Sequence, residues 1–248
     1  VSNVGVGFDN VDVNFCTKMG IQVTNTPGIL NDAVADMSMA LLLAIARRVP
    51  EGDRIVRSGG FKANFYHLLW GADLKGENLG IIGMGSIGQD VAKRALPFGL
   101  NIKYHNRNRL SKDIESNLNA EWMSLIDLLK SCRYIVILCP LTKETKHLIT
   151  IKEFKNMKKN SFLINIARGP IVKESDLIIA LNNKLISGCA LDVYEFEPNY
   201  DIKLAMMDNV VLAPHAGSAS IKSRTGMVEL AAKNIETFFI EKKVLNSV

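Results

Sequence analysis

Three glycines in the first half of the chain have the spacing of a dinucleotide-binding loop. Gly83, Gly85 and Gly88 form a G-x-G-x-x-G motif between an apolar run at 79–82 and a helical pattern. The first glycine allows a tight turn, the second lets the backbone approach a pyrophosphate, and the third lets the helix pack against the strand. The amino end of the helix adds free N–H groups and a positive dipole end. The alternative is a structural turn, because turns between strands and helices are rich in glycine.

The end of the next predicted strand indicates which dinucleotide is bound. An acidic residue there would bind the ribose 2′-hydroxyl of NAD and repel a 2′-phosphate. The sequence instead carries Asn106, Arg107 and Arg109, with no acid at the expected distance. Guanidinium groups pair well with phosphate. The pattern favours NADP(H) as the cofactor, with NAD(H) as a second one, over a surface loop with incidental arginines.

Three polar residues beyond later strands have the chemistry for reducing a carbonyl. Arg168, Glu197 and His215 follow predicted strands at the edge where open α/β sheets bind ligands. Each of them alone is also compatible with an ordinary surface residue. Together they fit a hydride transfer, because imidazolium donates a proton near neutral pH and a neighbouring carboxylate stabilises it. An arginine binds the substrate carboxylate and polarises its carbonyl.

The other histidines have no such setting. We interpret His67, His105 and His147 as structural or solvated residues, and the histidines share no spacing that is typical of metal ligands. We therefore expect no metal site.

A regular alternation of strands and helices positions these residues. Alternation with short connections predicts an α/β fold, a doubly wound parallel sheet (Rossmann) with helices on both faces. Strands are predicted at 79–82, 101–105, 133–139, 161–166, 188–193 and 209–212, and helices at 125–131, 151–157, 175–182 and 222–240.

The beginning of the chain has a different pattern. Short strands are predicted at 1–6 and 21–24, with a helix at 11–18 between them. The Gly-Val-Gly turn at 5–7 offers N–H groups that suit a carboxylate, and a plain turn is equally compatible with it. A long helix capped by Asn31 or Asp32 follows, and its wide apolar arc predicts burial on more than one side. Pro50 is expected just past its end, before a glycine-rich, aromatic loop at 58–70.

Composition narrows the class of protein. The 248 residues are 48% hydrophobic and carry a formal charge of +5, with basic residues scattered among acidic ones. That pattern is more typical of a solvated surface than of a nucleic-acid-binding face. The four cysteines show no zinc spacing, which indicates reduced thiols and a cytoplasmic protein. The longest apolar run, around 40–46, is too short to cross a membrane.

Six segments, taken in order, resemble one known family over essentially the whole chain. They are SNVGVGFDN at 2–10, TNTPG at 24–28, GMGSIG at 83–88, NIARGP at 165–170, LDVYEFEP at 191–198 and APHAGS at 213–218. The family is that of the D-isomer-specific 2-hydroxyacid dehydrogenases, and the resemblance is closest to the glyoxylate and hydroxypyruvate reductase branch.

This resemblance implies an activity and its residues. The activity is the NAD(P)H-dependent reduction of small 2-keto acids to D-2-hydroxy acids. The resemblance makes Arg168, Glu197 and His215 catalytic, with His215 as the proton donor, and places the substrate carboxylate on the backbone of Val6 and Gly7. The implied cofactor residues are Gly83, Gly85, Ser86, Ile87, Gly88, Asn106, Arg107, Arg109, Cys139, Pro140, Ile166, Ala167, Asp192 and Gly217. Among these, Asp192 matches the residue that holds the nicotinamide carboxamide.

The resemblance also implies an assembly and a division into domains. Family members are homodimers built around the helix that matches Asn31 to Arg48 and the loop after it, and Trp70 matches a residue that reaches the partner's substrate site. A flavodoxin-like substrate lobe would comprise 1–30 and 221–248, and a dinucleotide-binding domain would comprise 31–220. The lobe is short for this family, so we expect it to be N-terminally truncated and the chain alone to be unstable or inactive.

Two other functions stay open on the sequence. One is a dinucleotide-sensing protein like the transcriptional corepressors that resemble this family, which can carry the same arginine, glutamate and histidine. The missing acid at Asn106 and the lack of long disordered tails distinguish the chain from them. The other is an inactive truncated homologue.

Overall fold

The computed structural model of the protein describes residues 1–62 and 69–248. It contains two compact units, one made of Val1–Val34 and Ser218–Val248 and the other of Ala35–Gly217. The role of the first unit as a substrate lobe stays a prediction.

A parallel sheet forms the centre of the Ala35–Gly217 unit. Its seven strands are β1 Asn78–Ile82, β2 Asn101–His105, β3 Ala120–Trp122, β4 Tyr134–Ile137, β5 Phe162–Asn165, β6 Gly188–Leu191 and β7 Val210–Leu212. They lie in the order β3-β2-β1-β4-β5-β6-β7, and every pairing is parallel. The predicted doubly wound sheet is therefore confirmed. Because the chain returns past β1 to form β4, the carboxyl ends of these two strands flank the crevice where such sheets bind ligands.

Helices connect the strands and extend into both units. They are α1 Val13–Lys18, α2 Asn31–Ala46, α3 Val49–Arg57, α4 Ser86–Ala95, α5 Lys112–Asn117, α6 Leu125–Ser131, α7 Ile151–Phe154, α8 Glu174–Asn182, α9 Ile202–Ala205 and α10 Ile221–Glu236. Short 3-10 turns occur at Leu96–Phe98 and Gly169–Ile171, and a π turn at Thr237–Glu241 follows α10. No helix in the described ranges is long and apolar enough to span a membrane.

The core lies on both faces of the sheet. All residues of β4 and of β6 are buried, which is the pattern of parallel strands covered by helices on each side. Helix α6 packs Leu128 and Leu129 into this core, where both are fully buried. The four cysteines are buried free thiols, and burial raises the pKa of the Cys139 thiol to about 11.

One prediction for the beginning of the chain was wrong. The segments expected to be strands at 1–6 and 21–24 form isolated bridges, a parallel one between Ser2 and Thr24 and an antiparallel one between Thr24 and Ser247. Regular pairing ends at Gly5, which has a φ of 153° and whose N–H donates to the hydroxyl of Thr26 at 2.9 Å. Pro50 lies just past the end of α2, as predicted, but it does not make the break, because it lies in the first turn of α3, where proline is favoured. The break between these helices is made instead by Arg48, which adopts a left-handed φ of 54°.

Hydrogen bonds close the smaller unit. The buried side chain of Asn234, on α10, donates to the carbonyl of Asn25 at 2.9 Å, and Asn246 donates to Asn234. The hydroxyl of Ser2 donates to the carbonyl of Ala231 at 3.0 Å. Residues far apart in sequence thus tie the beginning of the chain to its last helix.

Candidate active site

The glycine loop leaves β1 through a conformation that only glycine tolerates. Gly83 has a φ of 103°, and a Cβ there would lie 2.4 Å from the backbone nitrogen of Cys139. A Cβ on Gly88 would lie 2.5 Å from the carbonyl oxygen of Gly83. The absence of a side chain at Gly83 therefore lets the turn pack against the loop after β4. The absence of one at Gly88 lets helix α4 pack against the turn.

Gly85 differs from the other two because open space lies beside it. A Cβ there would meet nothing within 4 Å, and Gly85 caps α4 without any side-chain hydrogen bond. The first N–H groups of the helix and its positive dipole end thus face a free volume. This free volume beside Gly85 at the start of α4, here called the glycine cradle, fits the pyrophosphate of a dinucleotide.

Asn106 lies beside this loop and stabilises it through hydrogen bonds. Its side-chain oxygen accepts a hydrogen bond from the backbone N–H of Met84 at 2.6 Å, and its own carbonyl accepts one from the indole of Trp122 at 3.2 Å. The asparagine therefore holds the middle of the glycine motif. Sequence reasoning had placed Asn106 only at the ribose end of the cofactor.

The two arginines after β2 have different surroundings. Both side chains are exposed, but Arg109 donates from Nε and Nη2 to the two carboxylate oxygens of Glu115, each at 2.8 Å. Sequence reasoning missed Glu115, because an acid six residues further on gives no local signal of this pairing.

His215 and Glu197 form a pair at the carboxyl edge of the sheet. His215 follows β7 and Glu197 follows β6, and Nδ1 of the imidazole lies 2.8 Å from Oε2 of the carboxylate. The other oxygen of Glu197 accepts from the backbone N–H of Tyr194 at 2.8 Å. Because an ionised carboxylate only accepts, we assign a proton to Nδ1, which leaves Nε2 for proton transfer.

The buried Asp192 holds the loop that carries this histidine. Its two oxygens accept from the backbone N–H groups of Ala216 and Gly217 at 2.7 Å each, and its carbonyl accepts from the N–H of His215 at 2.8 Å. Burial raises the pKa of the Asp192 carboxyl above its usual range. These bonds stabilise His215 at its left-handed φ of 53°, which is costly for a residue with a Cβ.

Arg168 follows the neighbouring strand β5 and is partly buried. Asn165 fixes the backbone around it, because its side-chain nitrogen donates to the Arg168 carbonyl at 3.0 Å and its oxygen accepts from Ala167 at 3.2 Å. The guanidinium donates from Nη1 to the carbonyl of Ala167 at 2.8 Å. Since β5, β6 and β7 are neighbours, the three predicted catalytic residues extend from adjacent strand ends.

Comparison with known proteins identifies the family of the chain. The family model of the D-isomer specific 2-hydroxyacid dehydrogenase NAD-binding domain matches residues 39–217. A glyoxylate reductase from Pyrococcus horikoshii is 50% identical over 242 residues, which cover 96% of this chain and 72% of that protein. The chain belongs to the D-isomer specific 2-hydroxyacid dehydrogenase family. It is therefore an oxidoreductase that binds a nicotinamide dinucleotide, and the cradle at Gly85 fits that group.

Further members of the family show the same similarity. The glyoxylate reductase from Thermococcus litoralis is 49% identical, with 96% of this chain and 73% of that protein covered. The NADPH-dependent glyoxylate/hydroxypyruvate reductase from Sinorhizobium meliloti, solved with NADP and malonate, is 34% identical with a TM-score of 0.94. That alignment covers 100% of this chain and 76% of the solved one.

The remaining residues that the resemblance implies lie at strand ends, in loops and at the start of α4. Ser86 and Ile87 begin α4, Cys139 and Pro140 follow β4, Ile166 and Ala167 follow β5, and Gly217 follows β7. In the smaller unit, the carbonyls of Val6 and Gly7 accept from the side chains of Asn25 and Asn3, each at 2.8 Å. Trp70 is exposed, and His67 lies outside the described residues.

A second histidine–glutamate pair stabilises the loop that carries Glu197, and this pair was not predicted from the sequence. Nε2 of His147 lies 2.6 Å from Oε1 of Glu195, two residues before Glu197. The other oxygen of Glu195 accepts from the backbone N–H of Glu174 at 2.8 Å. Because His147 and Glu195 are distant in sequence, their spacing gave no sign of the pair.

Proposed function

We propose that the protein reduces small 2-keto acids of the glyoxylate and hydroxypyruvate type to D-2-hydroxy acids, with NAD(P)H as the reductant. The observation that carries this proposal is the 2.8 Å pair of His215 and Glu197, at the same sheet edge as the glycine cradle. The names of the relatives, which are glyoxylate reductases, support the substrate class. They also favour an enzyme over a corepressor-like sensor or an inactive homologue.

Each catalytic residue has a role in this proposal. A bound reduced nicotinamide supplies the hydride. Nε2 of His215 donates the proton that the carbonyl oxygen requires, and Glu197 stabilises the imidazolium before that transfer. The Arg168 guanidinium binds the substrate carboxylate and polarises the carbonyl. In the smaller unit, which we propose to be the substrate lobe, the backbone N–H groups of Val6 and Gly7 are the proposed binding groups for a substrate carboxylate.

We further propose that NADP(H) is the preferred cofactor and that NAD(H) is also accepted. The support is the loop after β2, which carries Arg107 and Arg109 and has an asparagine where NAD-specific folds place an acid. An arginine in this position suits a ribose 2′-phosphate.

A turnover assay with the purified full-length protein tests both proposals. We expect oxidation of NADPH with glyoxylate and hydroxypyruvate, and a higher kcat/KM for NADPH than for NADH. Glycolaldehyde is the matched control, because it equals hydroxypyruvate without the carboxylate and should be a poor substrate. Equal rates with glycolaldehyde would contradict the carboxylate-binding site, and a clear preference for NADH would contradict the cofactor assignment.

We also propose a cytoplasmic homodimer. The buried free cysteines support a reducing compartment. The dimer would use the helix from Asn31 to Arg48 and the following loop, with Trp70 entering the partner's substrate site. Large apolar side chains are exposed there at Val49, Val56 and Trp70, which is typical of an interface. Sedimentation should give twice the chain mass of 27.4 kDa, and a monomer at assay concentration would contradict the dimer.

A further inference from the structure

Glu115 closes a ring of hydrogen bonds around the loop that follows β2. Its carboxylate accepts two hydrogen bonds from the Arg109 guanidinium, and its Oε1 also accepts one from the hydroxyl of Tyr104 at 2.6 Å. The same hydroxyl accepts from the backbone N–H of Leu110 at 2.9 Å. Tyr104 is fully buried on β2 and Glu115 is nearly so on α5. The ring therefore joins the strand, the loop and the helix through one carboxylate.

The carboxylate in this ring is ionised throughout the physiological range. The hydrogen bonds from Arg109, and then from Tyr104, lower the pKa of Glu115 to about 2. Arg109 and Glu115 thus form a pair with no net charge. A bidentate arginine–carboxylate pair is also geometrically fixed, so the guanidinium does not turn freely toward other anions.

Arg107 has no comparable restraint. It lies two residues earlier on the same loop, is exposed, and makes no hydrogen bond or ion pair with the part of the chain that the structure describes. The loop therefore carries two guanidinium groups, of which Arg109 is bound by a carboxylate and Arg107 has only a longer-range electrostatic interaction with Glu144.

We propose that Glu115 sets the selectivity between NADPH and NADH by withholding the charge of Arg109, so that Arg107 alone attracts the 2′-phosphate. This inference rests on the proposed use of the loop as the ribose site. The preference for NADPH is then moderate, because Glu115 already neutralises the charge of Arg109 within the protein. Glu115 is a selectivity residue that acts through Arg109.

Binding of adenosine 2′,5′-bisphosphate and of AMP, measured by calorimetry, tests this without any turnover. The two probes differ only in the 2′-phosphate, so their affinity ratio isolates that group. Glu115→Gln keeps a hydrogen-bonding side chain but frees the charge of Arg109. We expect it to tighten the bisphosphate about tenfold, which corresponds to about 1.4 kcal/mol, and to leave AMP unchanged.

Two further variants test the inference even if Glu115→Gln does not fold stably. The double variant Arg109→Ala/Glu115→Gln removes both charges of the pair, so its affinity ratio should stay within about threefold of the unmodified protein. Arg107→Ala should lower the ratio about tenfold. The inference is overturned if Glu115→Gln leaves the affinity ratio of the two probes unchanged or lowers it. It is also overturned if the double variant lowers this ratio as much as Arg107→Ala does. If no variant distinguishes the probes, the loop is not the ribose site and the cofactor proposal fails as well.

Discussion

Replacing His215 with glutamine is expected to lower kcat for keto acid reduction by about 10²- to 10⁴-fold, which is the usual contribution of a general acid. Glutamine retains a hydrogen-bond donor for Glu197 but cannot deliver a proton to the substrate. The surrounding loop should keep its shape, because Asp192 holds it through the backbone N–H groups of Ala216 and Gly217. The loss should therefore appear in the chemical step.

Stopped-flow measurement of hydride transfer, together with the Kd for NADPH from fluorescence titration, separates the possible causes. We expect the hydride-transfer rate to fall and the Kd to stay within about twofold, since His215 is not part of the glycine cradle. A Glu197→Gln variant should lose less than the histidine variant, because it removes the partner and leaves the donor. Turnover of the His215 variant close to the original rate would show that another group donates the proton.

Gly169→Ala should lose both stability and activity, although the substitution adds a single methyl group. A Cβ at Gly169 would lie 1.8 Å from the carbonyl oxygen of Tyr194 and 2.5 Å from the backbone nitrogen of Glu195. Backbone atoms cannot turn aside as a side chain can, so the segment at 194–197 must move. That movement would separate Glu195 from His147 and Glu197 from His215. Overpacking of this kind costs about 3 kcal/mol at its upper range.

Thermal unfolding and a parallel activity assay check this prediction. For a chain of this size, about 3 kcal/mol lowers Tm by roughly 6–12 °C. Gly52→Ala is the matched control, because its Cβ would meet only the end of the Leu69 side chain at 3.3 Å and it lies within helix α3. The control should keep its Tm and its turnover. If Gly169→Ala is as stable and active as the control, the loop is more adaptable than its contacts indicate.

Local patterns were enough to predict the elements that lie within one stretch of sequence. The bounds of β2 and of α6 are those expected, since each combines an apolar pattern with clear end signals. The glycine motif was also identified correctly, because it lies between the strand and the helix that it joins. The proposed proton donor was singled out by its position after a predicted strand.

Contacts between distant residues could not be predicted in this way. His147 lies between β4 and β5 and Glu195 follows β6, so the two residues meet only once the sheet has formed, and nothing near either residue marks the other. Asn106 reaches Met84 because β1 and β2 are neighbours, which no local pattern shows. The left-handed turn at Arg48 was missed for a different reason. A proline just after a helix normally indicates the end of that helix rather than the start of another one.

The strand order has a consequence for a chain that is made from its amino end on the ribosome. The phosphate cradle requires only β1, β2, β4 and the turn at Cys139, all of which precede the last strands. The orientation of His215 requires β5, β6 and finally β7 at the sheet edge. Because the chain is made from its amino end, the segments of the nucleotide-binding surface are synthesised before the segment that carries the proposed proton donor.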